Sequence, residues 1–217
     1  IIPKILKLVK SKIKPRDIKK SIFEKMKFER YENSSNQVEP LSAYVKALRK
    51  GIPKDGILVT DMTTVAYYSR THYHTYKPRS YFTSSYSGNL GSAFPTALGV
   101  KVAKPEKVVV SISGDGGFLF NVQELATAVQ YKINIISVIF NDQSYGNVKR
   151  DMKKIFNNKV LGADLINPNF VKLAESFGAV GMKAKSPKEL EDSILQAILI
   201  NKPVVIEVFV KDLPSPF

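Results

Sequence analysis

A strand–helix–strand unit at residues 108–146 constrains the fold of this chain more than any other feature. The apolar run Val108–Ile112 leads into the segment Gly114-Asp115-Gly116-Gly117, and a second run, Ile135–Phe140, ends abruptly at Asn141-Asp142. Continuous apolar runs of this length predict buried strands of a parallel sheet. The stretch between them has helical spacing, and its predicted inner face consists of Val122, Leu125, Ala126 and Val129.

Polar residues follow both predicted strands, at the edge where open α/β sheets bind ligands. Glycines at positions 114, 116 and 117 let the backbone approach a ligand closely and offer N–H groups to an anion. Adjacent parallel strands would place Asp115 and Asp142 side by side. Two carboxylates held this close favour a cation between them, and oxygen ligands suit Mg²⁺ or Ca²⁺. The residues therefore predict a metal-bridged phosphate site.

Predicted strands and helices alternate along the rest of the chain. Strands are expected at residues 57–60, 81–83, 179–183 and 204–210, with helices before, between and after them. This order predicts an α/β fold with a doubly wound, mostly parallel sheet and helices on both faces. A chain of 217 residues, 44% of them hydrophobic, is long enough for one sizeable core of this kind plus an appendage.

The N-terminal segment differs from the rest of the chain in charge. Residues 1–30 contain eleven basic and three acidic side chains, a net charge of +8 out of the total of +14. Apolar residues repeat there at helical spacing until Pro15, and the polar stretch 32–37 predicts a loop at a domain boundary. We predict a basic helical linker at 1–38 and a ligand-binding domain at 39–217. A membrane-surface helix or a targeting peptide is the alternative for the linker.

Several other classes of protein fit the sequence less well. The chain has no cysteine, which excludes disulfides and thiolate sites, and it has no secretory h-region, so a cytoplasmic enzyme fits best. A dinucleotide-binding Rossmann domain would need a third glycine at position 119, which is leucine. No nucleic-acid motif accompanies the basic segment. We therefore expect neither nucleic acid nor a membrane as a partner.

The spacing of the polar segments resembles the diphosphate-binding motif of thiamine-diphosphate enzymes. In this sequence Gly-Asp-Gly is followed by residues 117–140, then by Asn-Asp and Tyr-Gly. The segment Ser87–Gly99 also resembles the family's G-x-M-G-x-x-x-P-x-A-x-G pattern, and residues 40–210 together resemble the C-terminal domain of acetolactate synthase-like enzymes. The resemblance implies the thiamine-diphosphate-binding fold. It further implies an enzyme that decarboxylates a pyruvate-like 2-oxo acid, ligates the product to a second carbonyl, or does both.

The resemblance also implies roles for single residues. Mg²⁺ is expected on the carboxylates of Asp115 and Asp142 and on the backbone carbonyl of Ser144, although the family commonly has Asn where this chain has Asp142. Leu90 corresponds to the apolar wedge beneath the cofactor, and the Gly88 carbonyl to the acceptor for the aminopyrimidine. Further expected cofactor contacts are Gly114 and the backbone amides of Gly116, Gly117, Tyr145 and Gly146. Hydroxyls at the start of a helix either bind phosphate or cap the helix, and both roles stay open for Thr63 and Thr64.

The family's activating glutamate lies in a separate pyrimidine-binding domain, usually on a neighbouring subunit, and nothing in residues 1–40 matches it. We therefore expect this chain alone to be catalytically incomplete, with a pyrimidine-binding domain or subunit as partner and at least a homodimer as the assembly. It is either the C-terminal part of an acetolactate synthase-like enzyme, which the start at Ile1 and the linker favour, or a subunit of a split decarboxylase of the sulfopyruvate type. A non-catalytic cofactor-binding module is a third alternative. The substrate and the presence of FAD stay open, because a flavin would bind outside these residues.

Overall fold

The computed structural model describes residues 1–13, 19–35, 38–84, 87–211 and 213–216. The chain divides into two compact units, residues 1–37 and residues 38–217. The first unit contains helices α1 (Ile2–Lys12) and α2 (Lys20–Ser35), and the predicted interruption at Pro15 lies outside the described residues. Helix α2 includes Glu32–Ser35, so the polar loop predicted there is wrong for these residues. Most of α2 is exposed to solvent, and an exposed helix accommodates polar side chains on every face.

The second unit is built around one sheet of six parallel strands. These are β1 (Ile57–Thr60), β2 (Tyr81–Thr83), β3 (Val109–Gly114), β4 (Ile136–Asn141), β5 (Val180–Ala184) and β6 (Val204–Phe209). Their spatial order is β2-β1-β3-β4-β6-β5, and every neighbouring pair is parallel. The predicted doubly wound α/β fold is therefore confirmed, with a sheet that is parallel throughout.

Helices cover both faces of this sheet and bury two separate apolar cores. One core includes residues of α3 (Leu41–Gly51), α4 (Thr64–His72) and α10 (Pro187–Ile198). The other includes residues of α5 (Ala93–Ala103), α7 (Glu124–Gln130) and α9 (Phe170–Ser176). Because both faces are covered, the central strands read as continuous apolar runs in the sequence. No helix in the described part of the chain is long and apolar enough to cross a membrane.

The helical stretch of the central unit differs from its prediction. It consists of two short helices, α6 (Asp115–Leu119) and α7, with the chain leaving the helical path between them. Since α7 begins only at Glu124, its buried face is formed by Leu125 and Ala128, and the predicted inward residue Ala126 is exposed. Helix α8 (Gly146–Ile155) follows β4.

The order of the strands creates a crevice at one edge of the sheet. Strand β1 leads through α4 to β2 on one side, whereas β3 leads through α6 and α7 to β4 on the other. Helices α4 and α7 lie in different cores, on opposite faces of the sheet. The loops after β1 and β3 therefore diverge, and such a switch point is where open α/β sheets bind ligands.

Candidate functional site

A cavity of about 250 Å³ lies at this switch point, beyond the carboxyl ends of β1, β3 and β4. The loops that follow these strands line it, together with the segment that precedes α5. The structure brings all of the sequence-predicted site residues to this one cavity: Thr63, Thr64, Gly88, Leu90, Gly114, Asp115, Gly116, Gly117, Asp142, Ser144, Tyr145 and Gly146.

The carboxylates of Asp115 and Asp142 both line the cavity, close enough for the charge of one to affect the pKa of the other. Asp115 is 1% exposed, and burial raises its pKa above the ordinary aspartate value, although hydrogen bonds from Asn167 and nearby backbone amides oppose this. Burial, and next the negative charge of Asp115, raise the pKa of Asp142 to about 6. A cation between the two side chains would stabilise their ionised forms, and it would thereby oppose the effects of burial and of the like charges on their pKa values. The donor set fits Mg²⁺, which binds carboxylate and carbonyl oxygens.

The turn after β4 presents Asp142 and Ser144 to the cavity. Gln143 has a positive φ of 56°, and the Ser144 amide donates a hydrogen bond of 3.1 Å to Oδ1 of Asp142. Ser144 also pairs with Asp164 in an isolated antiparallel bridge. The hydrogen bonds of that bridge use the Gln143 carbonyl and the Tyr145 amide, which directs the Ser144 carbonyl to the other side of the chain. That carbonyl is therefore available to a ligand.

The same bridge overturns one detail of the prediction. The Tyr145 amide donates a hydrogen bond of 2.8 Å to the Ala163 carbonyl, so it is already engaged and does not serve as a phosphate donor. Tyr145 lines the cavity with its side chain instead. Sequence patterns could not indicate this hydrogen bond, because residues 163–165 form no regular strand.

Two of the glycines at the cavity, Gly116 and Gly117, are packed so closely by neighbouring residues that a side chain would not fit. A Cβ atom on Gly116 would lie 2.5 Å from Cε1 of Tyr145, and a Cβ atom on Gly117 would lie 3.2 Å from Oδ2 of Asp61. Both positions are therefore closed to larger residues unless a neighbour moves. Both glycines line the cavity with backbone alone, as is typical of an anion-binding loop.

Asp61 does not line the cavity but supports the loops around it, a role that the sequence predictions missed. It follows β1 directly, is fully buried, and accepts hydrogen bonds from the amides of Met62 (2.8 Å) and Gly91 (2.7 Å). Burial raises the pKa of Asp61, while these backbone amides lower it. Its bond to Gly91 ties the loop that carries Leu90 to the end of β1. A polar residue immediately after a predicted strand was visible in the sequence and could have indicated this role.

Two asparagines complete the site, and neither was predicted. The Asn167 side chain donates hydrogen bonds to Oδ2 of Asp115 (2.5 Å) and to Oδ1 of Asn141 (2.9 Å). Asn147 lines the cavity, and its buried Oδ1 has no hydrogen-bond partner within the described part of the chain. The contact between Asn167 and Asp115 joins residues far apart in sequence, so no local pattern indicates it.

Thr63 and Thr64 lie at the start of α4. Thr63 is the N-cap residue of this helix, but its side chain makes no capping hydrogen bond. Its Oγ1 lies 3.8 Å from the Cβ position of Gly114, on the cavity side of the loop. The Thr63 hydroxyl therefore does not cap α4, and contact with a ligand stays a prediction for both threonines.

Cationic side chains lie close to the loop that carries Asp142. A second cavity of about 410 Å³ shares Asp142 and Ser144 with the first. Its wall contains four cationic side chains: Lys149, Arg150, Lys153 and Lys211. Clustered cations beside a cleft raise the local concentration of anionic ligands. The electrostatics of this region therefore suit a ligand that carries phosphate groups.

Comparison with protein families gives a match over most of the domain. Residues 61–208 match the family model described as thiamine pyrophosphate enzyme, C-terminal TPP binding domain. The matched range contains most of the residues that line the first cavity, including Asp115 and Asp142.

Individual relatives agree with this match. The chain is 37% identical over 174 residues to an acetolactate synthase of Bacillus subtilis, which covers 80% of the chain and 30% of the relative. It is 37% identical over 158 residues to a probable acetolactate synthase large subunit of Methanocaldococcus jannaschii, covering 72% and 27% respectively. The chain thus spans less than a third of the length of these relatives.

A solved structure has the same fold. The thiamine diphosphate-dependent 4-hydroxybenzoylformate decarboxylase of Rhodococcus jostii RHA1 superposes with a TM-score of 0.72 at 28% sequence identity. The superposition covers 79% of this chain and 32% of the decarboxylase.

Proposed function

This chain belongs to the thiamine pyrophosphate enzymes, with their C-terminal TPP-binding domain, and from this premise we propose that a divalent cation joins the cofactor to Asp115 and Asp142. Thiamine pyrophosphate is the thiamine diphosphate inferred from the sequence. The observation that carries the proposal is the pair of carboxylates with raised pKa values at the floor of the cavity. Mg²⁺ would bind these side chains and the Ser144 carbonyl, and it would neutralise charge between the carboxylates and the diphosphate.

The remaining lining residues would orient the cofactor. We assign the diphosphate to the backbone amides of Gly116, Gly117 and Gly146 and to the hydroxyls of Thr63 and Thr64. On the other side of the cavity, the Gly88 carbonyl would accept a hydrogen bond from the aminopyrimidine. Leu90 would support the cofactor from below. Gly88 has a positive φ of 62°, a conformation that a residue without Cβ adopts at little cost.

We propose that the whole protein acts on 2-oxo acids in the manner of acetolactate synthase, by decarboxylation followed by transfer to a second carbonyl. The names of the relatives support this assignment, and the 4-hydroxybenzoylformate decarboxylase supports the decarboxylation step. When bound, the cofactor supplies the electron sink for this chemistry. The residues of this chain bind it, orient it and shield it from water.

The relatives are more than twice as long as this chain, and we propose that the activating glutamate lies in a pyrimidine-binding domain outside residues 1–217. Supply of that domain by a second subunit would require at least a dimer. In this proposal residues 1–38 are the linker that precedes the cofactor domain. A cytoplasmic location, predicted from the cysteine-free composition, belongs to the same proposal.

The test is an assay of the intact protein with thiamine diphosphate, Mg²⁺ and pyruvate, followed by a panel of other 2-oxo acids. We expect release of CO₂ and formation of acetolactate, and we expect the variant Asp115→Ala to lose both. Release of CO₂ with an aldehyde as the product would identify a decarboxylase instead. An intact protein that binds the cofactor but releases no CO₂ from any 2-oxo acid would overturn the proposed activity and support the non-catalytic alternative.

A further inference from the structure

Glu207 is a buried acidic residue for which the cofactor site has no direct use. It lies in β6 between Ile206 and Val208 and is only 8% exposed. A carboxylate in such a position is costly unless hydrogen bonds compensate for its lost hydration. Oε1 of Glu207 accepts a hydrogen bond of 2.8 Å from Nδ2 of Asn141, at the end of β4. Lys183, which pairs with Glu207 across β5 and β6, lies 3.6 Å from Oε2 and is half exposed.

The bond to Glu207 fixes which way the Asn141 amide points. A carboxylate only accepts hydrogen bonds, so Asn141 directs its NH₂ group at Glu207 and its Oδ1 in the opposite direction. Oδ1 of Asn141 then accepts from Nδ2 of Asn167 (2.9 Å) and from the backbone amide of Gln143 (3.2 Å). Both donors belong to segments that shape the cation site.

The chain of hydrogen bonds ends on a predicted metal ligand. With its Nδ2 directed at Asn141, Asn167 also donates to Oδ2 of Asp115 at 2.5 Å. The Gln143 amide meanwhile holds the positive-φ residue of the turn that presents Asp142 and Ser144. The Glu207 carboxylate on β6 thus helps to orient Asn141, which in turn accepts from Asn167 beside Asp115 and from Gln143 in the turn of Asp142.

We propose that Glu207 is a positioning residue for the cation site, acting through Asn141 and Asn167 on Asp115 and through Gln143 on the turn of Asp142. The inference rests on the proposed cation-dependent function. Without an acceptor at position 207, the buried NH₂ group of Asn141 loses the partner that satisfies it. The orientation that directs Oδ1 at Asn167 and Gln143 would then be held by those two hydrogen bonds alone, and the NH₂ group would have to move to reach another acceptor or water. The turn at Gln143 would be held less firmly, and Asn167 would no longer be held in the orientation in which it donates to Asp115.

The test is Mn²⁺ binding, measured by electron paramagnetic resonance on the intact protein without cofactor, with thermal unfolding recorded in parallel. For Glu207→Leu we expect Mn²⁺ affinity to fall by about tenfold or more, the usual effect of losing an outer partner of a metal ligand. Glu207→Gln keeps an acceptor oxygen, so it should restore affinity to within about threefold of the wild type. Lys183→Met is the matched control, and it should leave affinity within about twofold because the acceptor is unchanged.

The outcomes separate this inference from the proposed function. A folded Glu207→Leu variant that binds Mn²⁺ as tightly as the wild type would overturn the positioning role. If that variant fails to fold, Asn167→Ala replaces it: a loss of about tenfold supports the role, and unchanged affinity contradicts it. A wild-type protein that binds no Mn²⁺, or an Asp115→Ala variant that binds it equally well, would overturn the cation site itself and this inference with it.

Discussion

Burial, and next the negative charge of Asp115, raise the pKa of Asp142 to about 6, whereas an aspartate in an unfolded chain titrates near about 4. Between these two values the folded, metal-free protein binds more protons than the unfolded chain. Its free energy of unfolding therefore falls as pH rises from about 4 to about 6, and the contribution of protonated Asp142 is lost above that range. Cation binding requires the ionised form, so cation affinity should rise as pH increases through about 6.

This linkage gives a prediction for Asp142→Asn. At pH 8, without metal, the variant should be more stable than the wild type by about 1–2 kcal/mol, since each pKa unit is worth about 1.4 kcal/mol and partial solvation screens some of it. The gain should shrink at pH 4, where the wild-type side chain is protonated. Urea unfolding at both pH values measures it, with the surface variant Asp192→Asn as a control expected to stay within about 0.5 kcal/mol. Equal stability of the Asp142 variant and the wild type at pH 8 would contradict the account.

Gly116 gives a second prediction at this scale. A methyl group there would lie 2.5 Å from the Tyr145 ring and 3.0 Å from Cδ1 of Leu165, so Gly116→Ala must displace a wall of the cavity. We expect thiamine diphosphate affinity to fall by about tenfold, because forced repacking of this kind typically costs about 1–3 kcal/mol. Calorimetric titration of the variant measures the loss.

Gly99 provides the matched control. It lies in α5, and a Cβ atom there would have nothing within 4 Å. Gly99→Ala should leave cofactor affinity unchanged and raise the free energy of unfolding by about 0.5–1 kcal/mol, through its higher helix propensity. If both alanine variants bind the cofactor like the wild type, the absence of a side chain at position 116 has no role in binding.

Site residues that lie in local sequence motifs could be predicted from the sequence, and those that reach the site through tertiary contacts could not. Asp115 and Asp142 could be placed because each follows an apolar strand within one continuous unit. Asn167 and Glu207 could not, because their contacts with Asp115 and Asn141 join distant parts of the chain through the folded sheet. The engaged amide of Tyr145 was missed for the same reason.

At the scale of elements, the N-terminus of helix α10 is determined by hydrogen bonds between residues close together in sequence. The Ser186 side chain accepts a hydrogen bond of 3.1 Å from the Glu189 amide, and the Glu189 side chain accepts one of 2.9 Å from the Lys185 amide. This arrangement resembles a capping box, followed by proline at the first helical position. Both features can be recognised in the sequence Ser186-Pro187-Lys188-Glu189.

We predict that Ser186→Ala lowers the free energy of unfolding by about 1 kcal/mol, because the first turn of α10 loses the acceptor for one of its free amides. Ser176→Ala, whose hydroxyl bonds to the Leu173 carbonyl at an exposed site, should change it by less than about 0.5 kcal/mol. Chemical denaturation of both variants makes the comparison. Equal effects would mean that the cap contributes nothing beyond a surface hydroxyl.

Most elements of the sheet were predictable, since burial on both faces leaves long apolar runs bounded by polar turns. The failures have physical causes. Glu32–Ser35 is helical although polar, because α2 is largely exposed and needs no apolar stripe. The stretch between α6 and α7 leaves the helical path where Asn121 donates a hydrogen bond of 2.8 Å to the Gly91 carbonyl. That tertiary contact has no counterpart in the local periodicity.

At the scale of the whole molecule, the fold brings every predicted site residue to one edge of the sheet, where the strand order creates a switch point. The α/β class, the parallel sheet and the position of the crevice follow from the alternation of elements. The spatial order β4-β6-β5 does not, because several right-handed connections would satisfy the same alternation. The activity of the whole protein depends in our proposal on a further domain, which accords with the greater length of the relatives.

The central claim is that cofactor and cation bind together at Asp115 and Asp142, and calorimetric titration of thiamine diphosphate into the intact protein tests it most directly. By linkage each ligand must strengthen binding of the other by the same factor. We predict that Mg²⁺ raises cofactor affinity by about tenfold or more over a sample with chelator, and that Asp115→Ala abolishes this gain. Cofactor affinity that is the same with Mg²⁺ and with chelator, or an Asp115→Ala variant that keeps the full gain, would contradict the account.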